Sequence, residues 1–388
     1  MDKAQQLEKK YHFQVYNRFP ITIERGEGAL VWDTEGNEYI DALGGIAVNN
    51  LGHCHPKVVA AIREQAEKLL HTSNFYYTEE QSRFIEKLAE VSGLDRVFLC
   101  NSGVEAMEAC VKFARNYGHS KGKNGNIISL SQGFHGRSVT TIGMGMANYQ
   151  KGFEPMPSGF EQVPFNDFEA LKKASDKNTL AIVFEIVQGN SGVHIADANF
   201  LKKTRALCDE LDILLIIDEV QSGVGRTGKF YSYQHFGILP DIVASAKALA
   251  GGIPIGAVMA KEKVASALGY GQHGTTFGGN PFACAVGLAT LKAIEEEGIV
   301  EQSAEKGKFM IELLREKTAA INSVIDIRGI GLMIGVELDK PARPVVDKMF
   351  EHKVLSNAAA GNVIRLVPPL VMTKEQIEQV VDVLIESL

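Results

Sequence analysis

Five short apolar runs, separated by longer periodic segments, constrain the fold of this 388-residue chain more than any other feature. They are VFLC (97–100), NIISL (126–130), LAIVFEIV (180–187), ILLIID (213–218) and DIVASA (241–246). None alternates polar with apolar residues, so each predicts a strand buried on both faces. Helical patterns such as 103–118 and 197–211 lie between them. Alternating β and α segments of this kind predict an α/β fold: a mainly parallel central sheet with helices on both faces.

The two ends read differently. Residues 21–41 suggest a small antiparallel meander with turns at Gly26-Glu27-Gly28 and Glu35-Gly36-Asn37. After about residue 300 come long helices and further strands, GLMIGVEL and NVIRLVP. Thr373 and Gln376 have capping-box spacing, and Ile377, Val380, Val381, Leu384 and Leu388 form one stripe of a final helix. The expected organisation is a large domain at 46–292 and a smaller α+β domain built from 1–45 and 293–388.

Composition excludes several classes. With 45% hydrophobic residues, 22% charged and a net charge of −7, the chain is an ordinary globule without a basic face for nucleic acid. Five scattered cysteines form no CxxC pair, so neither a disulfide framework nor a cysteine zinc site is expected. The charged start MDKAQQLEKKYHFQ has no apolar core of a signal peptide, and a reducing, cytoplasmic setting is expected. Residues 242–260 nearly reach spanning length with one charge, Lys247, but Gly251-Gly252-Ile253-Pro254 breaks them at the centre. They read as buried core.

Two motifs are set aside. GVGRTGK (223–229) fits GxGxxG and most of a phosphate loop, yet Phe230 stands where a hydroxyl is needed and no helix pattern follows. His53-Cys54-His55-Pro56 offers metal ligands without a well-spaced third and reads as a turn into a helix with proline at its first position. The other histidines are scattered, with structural roles expected for most.

Chemistry collects where open α/β sheets place it, beyond the carboxyl ends of strands. Asp218-Glu219-Val220-Gln221 follows one apolar run and Lys247 follows the next. Asn101-Ser102-Gly103-Val104-Glu105 opens a helix, whose free N–H groups and positive dipole end suit a phosphate. Ser131-Gln132-Gly133-Phe134-His135-Gly136-Arg137 adds an aromatic face and a guanidinium. Pyridoxal 5′-phosphate uses all four: a lysine amine, a carboxylate for its ring nitrogen, a phosphate cradle and a flat side chain. Desolvation favours the nucleophilic, neutral amine.

These stretches, with GGIAVNNLGHCHPKVV, NSGVEAMEA, GFHGRS, SAKALAGGIPIGAV and HGTTFGGNP in that order, resemble the class III, or ornithine-type, aminotransferases over essentially the whole chain. The resemblance implies fold type I and a set of roles. Lys247 bonds the cofactor and, once released, shuttles a proton; Asp218 pairs with the ring nitrogen; Gln221 reaches the ring hydroxyl. Phe134 and Val220 enclose the ring. Ser102, Gly103 and Val104 hold the phosphate, with Thr276 from the neighbouring subunit of a homodimer whose active sites lie at the interface. Arg137 matches the arginine for the distal carboxylate and Arg365 the one for the α-carboxylate of glutamate and 2-oxoglutarate. Ile46 stands where enzymes acting on free ornithine tend to carry tyrosine.

Two positions depart from the family pattern. EPxQGEGG is here Glu185-Ile186-Val187-Gln188-Gly189-Asn190-Ser191-Gly192, so neutral Asn190 replaces the glutamate that pairs with the Arg365 counterpart. Arg365 is then expected to stay unmasked, letting plain α-amino acids compete in the first half-reaction. Met107 replaces a small polar residue. The implied reaction is ping-pong transfer of the terminal amino group of N2-acetyl-L-ornithine to 2-oxoglutarate, in arginine biosynthesis. Succinylornithine, ornithine and 4-aminobutyrate are alternative donors. Rivals of other classes are a nucleotide-binding protein using 223–229 and a non-catalytic binding protein of the same fold.

Overall fold

Strands β1 (Arg96–Cys100), β2 (Ile127–Leu130), β3 (Phe160–Val163), β4 (Ala181–Phe184), β5 (Leu214–Asp218), β6 (Ile242–Ser245) and β7 (Gly256–Ala260) form the central sheet of the computed structural model, which describes residues 2–388. Their spatial order is β1-β7-β6-β5-β4-β2-β3. Strands β2 to β6 pair in parallel, and β7 runs antiparallel to both of its neighbours. In β5, Leu214 and Ile216 enter an apolar cluster with Ala106, Cys110 and Phe113 of helix α1 (Gly103–Ser120). Leu215 and Ile217 enter a separate cluster with Phe200, Leu201 and Leu207 of helix α2 (Ala198–Leu211). Successive side chains of a strand point to opposite faces, and both faces here are covered. That is why the runs show no alternation.

Both termini build the smaller layer. Ile23–Glu27, Leu30–Asp33 and Glu38–Asp41 form the antiparallel meander, whose last strand pairs in parallel with Val354–Leu355. A second sheet joins Val324–Ile330, Met333–Leu338, Val363–Leu366 and Asn357–Ala359. The final helix, Lys374–Ser387, starts at Thr373 with the expected reciprocal bonds to Gln376.

One run differs from its expectation and two others follow theirs. Residues 180–187 break after Phe184, because Glu185 turns away and Val187–Gln188 pairs with His194–Ile195. Residues 242–260 fold back on themselves as β6 and β7, joined through a 3₁₀ turn at Lys247–Ala250 and two left-handed glycines, Gly251 and Gly252. Among the described residues no helix is long and apolar enough to cross a membrane. Residues 223–228 form successive turns in which Arg226 is fully buried and donates to Leu332 O, Pro368 O and Asn50 Oδ1. Only a short 3₁₀ turn, Ser232–Phe236, follows, so the segment fastens the two layers together and is no phosphate loop. His53 Nε2 meets Asp41 Oδ2 at 2.8 Å, and Pro56 opens the helix Pro56–Lys68.

Candidate active site

The parallel pairing of β5 with β6, Asp218 opposite Ala244, brings two strand ends to one edge of the sheet. Asp218 and Lys247 consequently line one cavity of about 280 Å³, with Gly103, Val104, Phe134, His135, Gly136, Arg137, Glu185, Val220 and Gln221. Lys247 opens its 3₁₀ turn with a left-handed backbone, φ 48°. Burial, and then the positive charge of Arg365, bring its amine down to about 8. The shift enlarges the fraction of neutral amine, the form that attacks a carbonyl.

Asp218 is buried, and its two oxygens have different partners. Oδ1 accepts the main-chain N–H of Val220 at 3.0 Å, while Oδ2 lies 2.8 Å from His135 Nδ1. Burial works against a charged imidazole, but the hydrogen bond to Asp218 and the charges of Asp218 and Glu185 prevail and raise His135. Glu185 Oε1 accepts the N–H of Phe134 at 2.8 Å, and burial followed by repulsion from Asp218 pushes its carboxyl up to about 7. Glu219 points the other way. It accepts from Ser222 Oγ and Ser232 Oγ, both at 2.6 Å, and from Tyr233 N, which anchors the turn carrying Val220 and Gln221.

A second cavity of about 430 Å³ adjoins, lined by Gln132, Asn148, Tyr149, Asn190, Asn357 and Arg365 among others. Arg365 is 4% exposed, and every acceptor it holds is a neutral amide. Nη1 donates to Asn190 Oδ1 at 2.8 Å and to Gln221 Oε1 at 3.2 Å, and Nε donates to Asn357 Oδ1 at 3.2 Å. A buried cation without a carboxylate is costly unless a ligand supplies the charge. Arg137 is exposed at the mouth, stacked on Tyr149.

Of the residues expected from the sequence, Lys247, Asp218, Gln221, Phe134, Val220, Gly103, Val104 and Arg137 line the first cavity, while Arg365 and Asn190 line the second. Ser102 caps α1, its Oγ accepting from Glu105 N. Ile46, 41% exposed with φ 65°, and Thr276, also exposed, border neither cavity of the single chain. Met107 is fully buried in the cluster beneath α1, which accounts for an apolar side chain there. His135, Glu185 and Tyr149 were not singled out from the sequence. The signal for His135 was its place beside Phe134 after an apolar run.

These groups fit pyridoxal 5′-phosphate. A Cβ added at Gly103 would lie 2.7 Å from Val220 Cγ1, so only glycine lets the first turn of α1 approach the cavity so closely. First-turn N–H groups of an 18-residue helix lack intrahelical partners and favour an anion. Lys247, Asp218 and Phe134 stand around the same space.

Residues 12–388 match the family Aminotransferase class-III. The chain is 51% identical over 383 residues to the acetylornithine aminotransferase of Methanocaldococcus jannaschii, covering 98% of this chain and 96% of that one. It is 46% identical to the enzyme of the same name from Caldanaerobacter subterraneus subsp. tengcongensis, with 98% of each covered. Among solved structures, the ornithine aminotransferase of Toxoplasma gondii superposes with a TM-score of 0.96 at 35% identity, covering 99% of this chain and 94% of that one. The acetylornithine aminotransferase of Elizabethkingia anophelis superposes at 0.88 with 33% identity, covering 99% and 97%. Likeness at this level, carried through both layers and both ends of the sheet, shows that the chain belongs to the class III aminotransferases.

Proposed function

We propose that this chain transfers the terminal amino group of N2-acetyl-L-ornithine to 2-oxoglutarate, giving N-acetylglutamate 5-semialdehyde and glutamate, a step of arginine biosynthesis. The relatives named acetylornithine aminotransferase support this donor. The observation that carries it is the pair of arginines that, among the described residues, have no carboxylate partner: Arg137 lines the Lys247 cavity and Arg365 the second one. Two substrates with differently placed carboxylates need two such guanidinium forks.

Pyridoxal 5′-phosphate bound there supplies a carbonyl that accepts the amino group and a ring that withdraws electrons. Lys247 would bond it, and Gly103 and Val104 with Ser102 would hold its phosphate. Asp218, oriented by its 2.8 Å contact with His135, would face the ring nitrogen, and Gln221 would reach the ring hydroxyl. Phe134, fixed through its N–H by Glu185, and Val220 enclose the ring space and exclude water. An amine with a pKa of about 8 can both take and return a proton near neutral pH, so Lys247 Nζ moves the proton at the donor carbon. Arg137 would hold the α-carboxylate of N2-acetyl-L-ornithine, and Arg365 that of glutamate and 2-oxoglutarate.

The working unit in this reading is a homodimer with active sites at its interface, where Thr276 adds to the neighbour's phosphate site and Ile46 to its substrate pocket. Phe75 (91% exposed), Tyr77 (99%) and Phe277 (61%) support it: they form an apolar surface close to Thr276, tied by Asn74 Nδ2 donating to Thr275 O. The large domain comprises 46–292, and 1–45 with 293–388 make the small one. Five free cysteines, four of them buried, support a reducing cytoplasmic setting. Purified protein should absorb as a lysine-bound cofactor and be fixed by borohydride, and Lys247→Ala should lose both properties. Colourless protein that binds a nucleotide would overturn the reading.

A further inference from the structure

Arg137 and Arg365 are held in different ways. Arg365 is caged by three amide oxygens. Arg137, among the described residues, forms neither ion pair nor hydrogen bond, and its guanidinium touches two rings: Tyr149, 3.9 Å from the centroid, and Phe134 at 5.5 Å. The Tyr149 ring meets that of Phe134 edge-on, with centroids 5.5 Å apart and planes at 77°. Tyr149 also borders the cavity that Arg365 closes. One side chain therefore touches the ring-covering phenylalanine, carries one arginine and faces the other.

The seat of Tyr149 is firm. Its N–H donates to Met146 O at 3.1 Å, and Met146 N–H donates to Gly133 O at 3.0 Å, in the loop that carries Phe134. Gln150 Nε2 donates to Ile142 O at 2.9 Å, and Gln162 Nε2 of β3 donates to Gly145 O at 2.7 Å. The short turn is pinned to the loop after β2 and to β3.

We propose that Tyr149 is a positioning residue for substrate carboxylates: its ring face holds the Arg137 guanidinium in place, leaving the guanidinium edge free for a bidentate carboxylate. This deepens, and rests on, the reading of Arg137 as a carboxylate site. A guanidinium stacked on a ring keeps its N–H fork exposed in its own plane. An arginine with no other partner would otherwise sample many rotamers and lose that freedom on binding. Tyr149 thus favours donors with a carboxylate remote from the reacting amine over acylated diamines that lack one.

The test compares two donors on the cofactor-loaded enzyme. N2-acetyl-L-ornithine carries the carboxylate; N-acetyl-1,4-diaminobutane is the same acylated diamine without it. In Tyr149→Leu, KM for the first should rise about 3- to 30-fold beyond any change for the second, the span expected from losing one cation–ring contact. Tyr149→Phe, which keeps the ring, should restore the preference between the donors. Equal losses for both donors, an unchanged KM in Tyr149→Leu, or a Phe variant as impaired as the Leu variant would overturn the proposal. Arg137→Gln separates the two layers. A raised KM there beside a normal Tyr149→Leu removes the role of Tyr149 alone, whereas an unchanged KM removes the carboxylate role of Arg137 and the proposal with it.

Discussion

The imidazole of His135 lies 2.8 Å from the carboxylate of Asp218, with both side chains buried. An ionised carboxylate can only accept, so Nδ1 of His135 carries the proton and stabilises negative charge on Asp218. A hydrogen bond to a charged group is worth about 1.5–3 kcal/mol, roughly a 10- to 100-fold effect. His135→Phe should therefore weaken cofactor binding or lower turnover by that factor, and His135→Asn should recover part of it. Cofactor titration by absorbance checks this. A Phe variant with unaltered affinity and turnover would show that Asp218 needs no such partner.

Arg365 and Asn190 form the second telling pair. Their 2.8 Å contact puts a neutral amide where a carboxylate could pair with the guanidinium, so no direct ionic partner must be displaced when a carboxylate docks. Plain α-amino acids should consequently compete as donors in the first half-reaction. Asn190→Glu should lower kcat/KM for glutamate and 2-oxoglutarate by about 10-fold or more, the scale of a close buried charge pair. The ratio of N2-acetyl-L-ornithine to glutamate turnover should rise accordingly, and Asn190→Gln should not change it. An unaltered ratio in Asn190→Glu would end this account of the position.

Lys247 provides a pH signature. Its amine titrates at about 8 where an ordinary lysine titrates at 10.5. In cofactor-free protein roughly one amine in ten is already neutral at pH 7. Since lowering the pH adds the proton that blocks attack, capture of pyridoxal 5′-phosphate should slow about tenfold per unit below pH 8 and level off above it. Stopped-flow absorbance at a series of pH values measures this. A capture rate still climbing through pH 10 would place the amine in an ordinary, solvated setting.

The strand-end groups were legible because apolar runs mark strands, and parallel strands align their carboxyl ends. Asp218, Lys247 and the start of α1 all follow from that pattern. His135 and Glu185 did not. They follow β2 and β4, which lie side by side next to β5, so His135 reaches Asp218 across the end of β4 where Glu185 sits. Such a partnership depends on strand order, which leaves no periodic trace in a sequence. Tyr149 sits in a three-residue 3₁₀ turn and acts through a ring contact with no spacing rule behind it. The GVGRTGK stretch was legible as no phosphate loop from Phe230 and the missing helix pattern, but what its arginine does, bonding carbonyls of the other layer, was not.

The central claim, that this site takes the amino group from an acylated diamino acid, is tested most directly by one half-reaction. N2-acetyl-L-ornithine is mixed with the cofactor-loaded enzyme in the absence of any oxo acid, and the absorbance of the lysine-bound cofactor is followed. It should disappear at a saturable rate and return when 2-oxoglutarate is added. An absorbance that persists with N2-acetyl-L-ornithine but falls with 4-aminobutyrate or free ornithine would contradict the assignment.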